Sequence, residues 1–219
     1  RIVNLRNMDL IHQLANEYAL KHSSPMDELL SEIYQYTIEN HPESHMISGP
    51  LQGNLLTMIS RMIQPKSILE IGTFTGFSAI CLAKGLQEDG RLLTIESRAS
   101  EATVAKRFFD RSDFKEQILL QVGDAKEILM DLNESWDLVF VDADKTGYIN
   151  YFEMLMKHAK SGSWMLFDNV FFHGEVLKEK LTGKNAKAID AFNEHVSKDP
   201  RVEKLVMTIR DGLTLLYIK

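Results

Sequence analysis

Ser67-Ile68-Leu69-Glu70-Ile71-Gly72-Thr73-Phe74-Thr75-Gly76-Phe77-Ser78 reads as a buried strand carrying an acid, then a glycine turn, then the start of a helix. A strand that ends in such a turn presents backbone N–H groups at a helix N-terminus, beside the edge of a sheet where a nucleotide-like ligand can sit. The glycine spacing is Gly-x-x-x-Gly, which is not the dinucleotide Gly-x-Gly-x-x-Gly. No Gly-Lys-Ser/Thr is present to grip a triphosphate. Alone, the segment states an αβ ligand site, and a plain tight turn between strand and helix reads the same way.

Working outward, four further apolar runs behave alike. Leu92-Leu93-Thr94-Ile95 ends in Glu96, which follows the glycine turn by close to the ~20 residues at which nucleotide-binding αβ folds hold a ribose diol. Ile118 to Val122 ends in Gly123-Asp124-Ala125, and Leu138 to Val141 ends in Asp142-Ala143-Asp144-Lys145. Trp164 to Phe167 ends in Asp168-Asn169. Five strands thus deliver polar groups at their C-terminal ends, the edge at which open αβ sheets bind ligands.

Size and charge narrow the classes. A chain of 219 residues with 44% hydrophobic content suits one globular domain, spanning 1–219. The net charge of −6 contains no block of one sign, which disfavours a broad nucleic-acid footprint. Cys81 is the only cysteine, so neither an intrachain disulfide nor a cysteine-built zinc site is available; its apolar helical surroundings predict a packing residue. No apolar run approaches the ~20 residues of a membrane span, and the default expectation is a reducing cytoplasm.

Residues 1–62 read as a helical cap on an αβ core at 63–219. Leu10, Ile11, Leu14 and Tyr18 recur at helical spacing. Ser24-Pro25-Met26-Asp27 predicts the start of a second helix with Pro25 at its first position, and His41-Pro42 its end. Ser48-Gly49-Pro50 predicts a turn, with a third helix over 51–63. The alternation of strand and helix from 67 to 169 implies a parallel sheet with right-handed crossovers. Arg210-Asp211-Gly212 lies between Lys204–Ile209 and Leu213–Ile218, a hairpin signal that requires one antiparallel strand at the C-terminus.

Asp142, Asp168 and Asn169 form the sharpest chemical set. Two carboxylates and an amide oxygen at strand ends make a hard-oxygen site suited to Mg²⁺, Mn²⁺ or Ca²⁺, with positions left for water and substrate. The same residue types also cap strands and form turns. Lys145 follows Asp142 by one helical step; beside a dication its ammonium form is disfavoured, which favours a general base, whereas a solvated helix-start lysine is the ordinary alternative. His41 and His45 share an i, i+4 spacing broken by Pro42, a weak metal pair. Phe171, Phe172 and His173 are candidates for the mouth of a site for a planar substrate.

Leu69-Glu70-Ile71-Gly72-Thr73, Thr94-Ile95-Glu96, Gly123-Asp124-Ala125, Val141-Asp142-Ala143-Asp144-Lys145 and Asp168-Asn169-Val170 occur in the order of one family. From about residue 24 to the C-terminus the chain resembles the cation-dependent class I S-adenosylmethionine O-methyltransferases of the caffeoyl-CoA and catechol type. The resemblance implies a Rossmann-like class I methyltransferase fold, α/β, with a mostly parallel seven-stranded sheet, a C-terminal antiparallel hairpin strand and extra N-terminal helices. It implies that Glu70 and Gly72 shape an S-adenosyl-L-methionine pocket and that Ser78 bonds the methionine end. Glu96 would hold the ribose, Asp124 and Ala125 would sit by the adenine, and Asp142 and Met46 would also border the cofactor. Asp142, Asp168 and Asn169 match the metal ligands, and Lys145 matches the catalytic lysine.

The activity implied is methylation of one hydroxyl of a small aromatic vicinal diol such as protocatechuate or caffeate, by a homodimer. Three rivals remain: a caffeoyl-CoA-type thioester enzyme, a tRNA hydroxyuridine O-methyltransferase, and a cofactor-binding regulator without turnover. Lys184-Asn185-Ala186-Lys187-Ala188-Ile189 lacks the Arg and Tyr that the plant CoA-ester branch carries there, and the acidic balance disfavours RNA.

Overall fold

The computed structural model describes residues 10–219. Seven strands form one sheet: β1 Ser67–Ile71, β2 Arg91–Glu96, β3 Ile118–Val122, β4 Leu138–Val141, β5 Trp164–Asp168, β6 Val202–Met207 and β7 Leu213–Ile218. Their order is β3-β2-β1-β4-β5-β7-β6. The first five pair in parallel, and β7 runs antiparallel to both β5 and β6. The parallel centre is largely apolar because helices cover both faces: every residue of β4 is buried. On β5, Leu166 joins the core on one face and Phe167 the core on the other, the period-2 alternation of a strand.

Helices α4 Phe77–Ala83, α5 Ala99–Phe109, α6 Ala125–Asp131, α7 Tyr148–Met156 and α8 Lys184–Lys198 supply those covers. From β1 the chain moves outward through β2 to β3, then returns to β4 on the other side of β1. That reversal opens a crevice at the C-terminal ends of β1 and β4. Gly72 and Asp142 meet there. Gly72 has φ +100°, and a Cβ on it would stand 2.0 Å from the Asp142 carbonyl oxygen, so only glycine permits the approach.

Among the described residues, three α-helices precede the sheet: α1 Gln13–His22, α2 Glu28–Asn40 and α3 Gly49–Ile63. Leu30 and Ile33 of α2 and Leu56 and Ile59 of α3 enter the core beside Phe77 of α4. Gly53 brings α3 close, since a Cβ there would lie 2.7 Å from the Phe77 ring. Residues 1–9 of the expected helical cap lie outside the described residues.

Four local expectations change. Pro25 is not the first residue of α2: the helix starts at Glu28, and Asp27 caps it by accepting the Leu30 N–H at 2.9 Å. Ser48-Gly49-Pro50 is not a separate turn, because α3 begins at Gly49 and Pro50 fills its first turn, where a missing N–H costs nothing. Strand β6 lies two residues earlier than expected, since Ile209–Gly212 close the turn with a 2.8 Å bond from Gly212 N–H to Ile209 O. The expected stripe divides: Leu10 and Ile11 lie ahead of α1 and line the cavity over the sheet edge, whereas Leu14 and Tyr18 on α1 are each 67% exposed. Cys81 is fully buried, and burial pushes its thiol up to about 12, as fits an inert packing residue.

Candidate active site

A cavity of about 1170 Å³ opens over the C-terminal ends of β1, β2 and β4. Gly72, Ser78, Glu96, Asp124, Ala125 and Met46 all line it. Glu96 ends β2, and its carboxylate is aimed by two backbone donors: Oε2 accepts from Phe74 N–H at 2.8 Å and Oε1 from Arg98 N–H at 3.0 Å. Asp124 caps α6 through Lys126 N–H at 2.7 Å, which sets Ala125 at the cavity wall. Met46 arrives from a 3₁₀ turn at Ser44–Met46 ahead of α3.

Glu70 occupies a different position from the rest. It lies beneath the glycine turn, fully buried, with Oε2 accepting from Thr94 Oγ1 at 2.5 Å and Oε1 without a hydrogen-bond partner. Burial, with added repulsion from Asp142 and Glu96, pushes its carboxyl up to about 8. The carboxylates that line the cavity itself, Glu96, Asp124 and Asp142, fit a cofactor that carries positive charge.

The oxygen-rich side of the cavity is built from the ends of β4 and β5. Asp142 and Asn169 line it, and Asp168 stands in the wall behind them at 2% exposure. Burial and the charge of Asp142 push the Asp168 carboxyl up to about 6. Crowded, partly desolvated carboxylates of this kind, joined by an amide oxygen, fit a hard divalent cation. Lys145 Nζ donates to Asp142 Oδ1 and to Tyr148 Oη, both at 2.8 Å. Burial works against its ammonium form, but Asp142 and Asp168 outweigh that and hold its pKa above the usual lysine value. Tyr148 Oη in turn donates to the Asp168 carbonyl at 2.8 Å, and burial raises its phenol pKa, so it stays neutral.

Behind Asp168, Gln52 of α3 donates from Nε2 to Oδ2 at 2.6 Å while its Oε1 accepts from Arg210 Nη1 at 3.1 Å. The segment after β5 is held in unusual backbone: Asn169, Phe172 and His173 have φ of 58°, 45° and 55°. Such conformations persist only where neighbours over-determine them. The loop between β6 and β7 does so here, through Phe171 N–H to Asp211 O at 2.9 Å and His173 N–H to Asp211 Oδ1 at 2.6 Å.

The two phenylalanines of the expected aromatic wall part company. Phe172 lines the cavity, whereas Phe171 packs over Gly212. His173 stands exposed at the cavity mouth. His41 and His45 do not pair: His41 Nε2 lies 3.2 Å from Glu101 Oε1, and His45 faces the cavity. Tyr148, Gln52, Arg210 and Asp211 escaped the sequence reading. Tyr148 carried a signal, one helical step beyond Lys145. Gln52 carried none, because its partner is 116 positions away.

A sheet of this order, with a glycine turn after β1 and an acid closing β2, defines a class I methyltransferase fold. The chain belongs to the O-methyltransferase family, whose model matches residues 20–219. It is 30% identical over 205 residues to a probable caffeoyl-CoA O-methyltransferase 1 of Dictyostelium discoideum, covering 91% of this chain and 89% of that protein. It is 32% identical over 180 residues to a catechol O-methyltransferase of Niastella koreensis, covering 78% and 81%. Among solved structures, an O-methyltransferase from Bacillus cereus in complex with SAH superposes with a TM-score of 0.85 at 29% identity, covering 94% of this chain and 97% of that one.

Proposed function

We propose that this O-methyltransferase is a divalent-cation-dependent enzyme that transfers the methyl group of S-adenosyl-L-methionine to one hydroxyl of a small aromatic vicinal diol such as protocatechuate or caffeate. The observation that carries the reading is the meeting of Asp142, Asn169, Lys145 and the buried Asp168 on one side of the cavity whose other side holds Glu96 and Ser78. The SAH complex of the Bacillus cereus relative and the catechol acceptor in the name of the Niastella koreensis relative support it.

In this reading Glu96 accepts from the ribose hydroxyls, Asp124 and Ala125 border the adenine, and Met46 closes over the cofactor. Ser78 bonds the methionine end. Gly72 shapes the floor, with Glu70 buried beneath the turn. Asp142, Asp168 and Asn169 would hold Mg²⁺ (or Mn²⁺ or Ca²⁺), which would supply Lewis-acid chemistry for the acceptor hydroxyls. Lys145 Nζ, once it has released its own proton to solvent, would take the phenolic proton as general base. Tyr148 Oη and Asp142 Oδ1 hold Nζ for that step. The phenolic oxygen then forms its bond to the methyl carbon as the carbon–sulfur bond breaks and its electron pair returns to sulfur. Phe172 at the wall gives a planar acceptor a face to lie against.

The reading extends to a single domain over 1–219 acting as a homodimer in the cytoplasm. Two exposed apolar pairs at helical spacing, Leu14 with Tyr18 and Met58 with Met62, support self-association. The test is a comparison of kcat/KM for caffeate, its 4-hydroxy analogue and caffeoyl-CoA. A site built around two adjacent oxygens discriminates against the monophenol by as much as ~10⁴-fold, so equal turnover of the monophenol overturns the diol reading. A hundredfold preference for the thioester, as the Dictyostelium discoideum relative's name would favour, overturns the free-diol assignment alone.

A further inference from the structure

We infer that Gln52 is a positioning residue that sets the Asp168 carboxylate for a cation, with Arg210 dictating which end of the Gln52 amide faces it. The inference rests on the metal reading above. Gln52 is 1% exposed on α3, a helix fixed in the core by Leu56 and Ile59. Burying an amide has a desolvation cost that an apolar residue of similar volume would avoid, so its bonds need a purpose. Arg210 Nη1 donates both to Ser48 O and to Gln52 Oε1. A guanidinium has no acceptor, so the amide must turn its oxygen to Arg210 and its nitrogen to Asp168.

The Asp168 carboxylate is thereby held at both ends: Oδ2 accepts from Gln52 Nε2 at 2.6 Å and Oδ1 from its neighbour's Asn169 N–H at 2.8 Å. Rotation of the carboxylate breaks both bonds. One N–H per oxygen leaves each oxygen with further acceptor capacity. The donor is also neutral. A lysine or arginine at this place would cancel the negative charge that attracts a cation, whereas an amide orients the carboxylate and leaves its charge intact.

The test uses the cofactor-free protein and Mn²⁺ as the probe, with the free ion followed by electron paramagnetic resonance and S-adenosylmethionine affinity followed by calorimetry. Gln52→Met keeps the length and removes the amide. Mn²⁺ affinity is expected to fall about 10–100-fold, the usual cost of losing a partner that orients a metal ligand, while cofactor affinity and melting temperature hold. Arg210→Met should weaken Mn²⁺ in the same direction but less, since the amide is then free to flip. Unchanged Mn²⁺ affinity in Gln52→Met overturns the inference. So does a joint fall of Mn²⁺ affinity, cofactor affinity and melting temperature, which would mark a packing role. If Gln52→Met does not fold, the half-buried Arg210→Met decides: unchanged Mn²⁺ affinity overturns the inference and a selective loss supports it. Failure of the unaltered protein to bind Mn²⁺ removes the metal reading itself, and this inference with it.

Discussion

Glu70 is a fully buried carboxyl whose Oε2 is held by Thr94. Its carboxyl titrates near pH 8 in the folded protein against 4.5 unfolded. A raised folded value means that the contribution to stability is complete below about pH 4.5 and is lost as pH rises through about 8. The cofactor-free protein should therefore lose stability between those limits, by up to about 1.4 kcal/mol per pH unit from this one group. Glu70→Gln should flatten the slope of melting temperature against pH across that range; an unchanged slope would mean the carboxyl ionises freely. Lys145→Met tests the proposed base. Turnover should fall about 10²–10⁴-fold with cofactor affinity nearly unchanged by calorimetry, because a general base contributes on that scale, and a mutant at near-full rate would return Lys145 to the role of an ion-pair partner of Asp142. At this scale the sequence was most readable where partners are neighbours. Asp142 and Lys145 sit one helical step apart, and Asp168 adjoins Asn169. Gln52 and Arg210 reach the same place from α3 and the β6–β7 loop, and no local pattern records that.

The central strands were legible as elements because helices on both faces make their sequences continuous apolar runs with polar punctuation. The ends of helices and the edge of the sheet were less so. Asp27 competes with Pro25 as a start signal and prevails, since its carboxylate satisfies the Leu30 N–H whereas Pro25 satisfies nothing. Asp27→Ala should lower stability by about 1 kcal/mol in a urea titration, with any additional loss coming from the Lys84 ion pair; no change would remove the cap. Strand β6 pairs with β7 alone and buries little, so its apolar residues did not set its limits. Gly72→Ala should be the more damaging substitution. Its backbone conformation alone costs about 1–3 kcal/mol for a residue with a side chain, and the added Cβ would drive against Asp142 O. Urea unfolding should show that loss, and wild-type stability in the variant would contradict the close approach.

Over the whole molecule, the reversal of strand order between β1 and β4 puts the residues proposed to bind cofactor and acceptor on one sheet edge. Class and cavity follow from that topology and from the family the chain belongs to. In the proposed reading the acceptor is selected by the loop after β5, the β6–β7 loop and the segment ahead of α3; the first two are joined by long-range bonds such as Phe171 to Asp211. The central claim is that Asp142, Asp168 and Asn169 serve methyl transfer by holding a divalent cation. The direct measurement is transfer of labelled methyl from S-adenosylmethionine to caffeate by one preparation, with Mg²⁺, after EDTA, and after Mg²⁺ is restored. The account predicts turnover that EDTA abolishes and Mg²⁺ restores. Turnover unaffected by EDTA would contradict it.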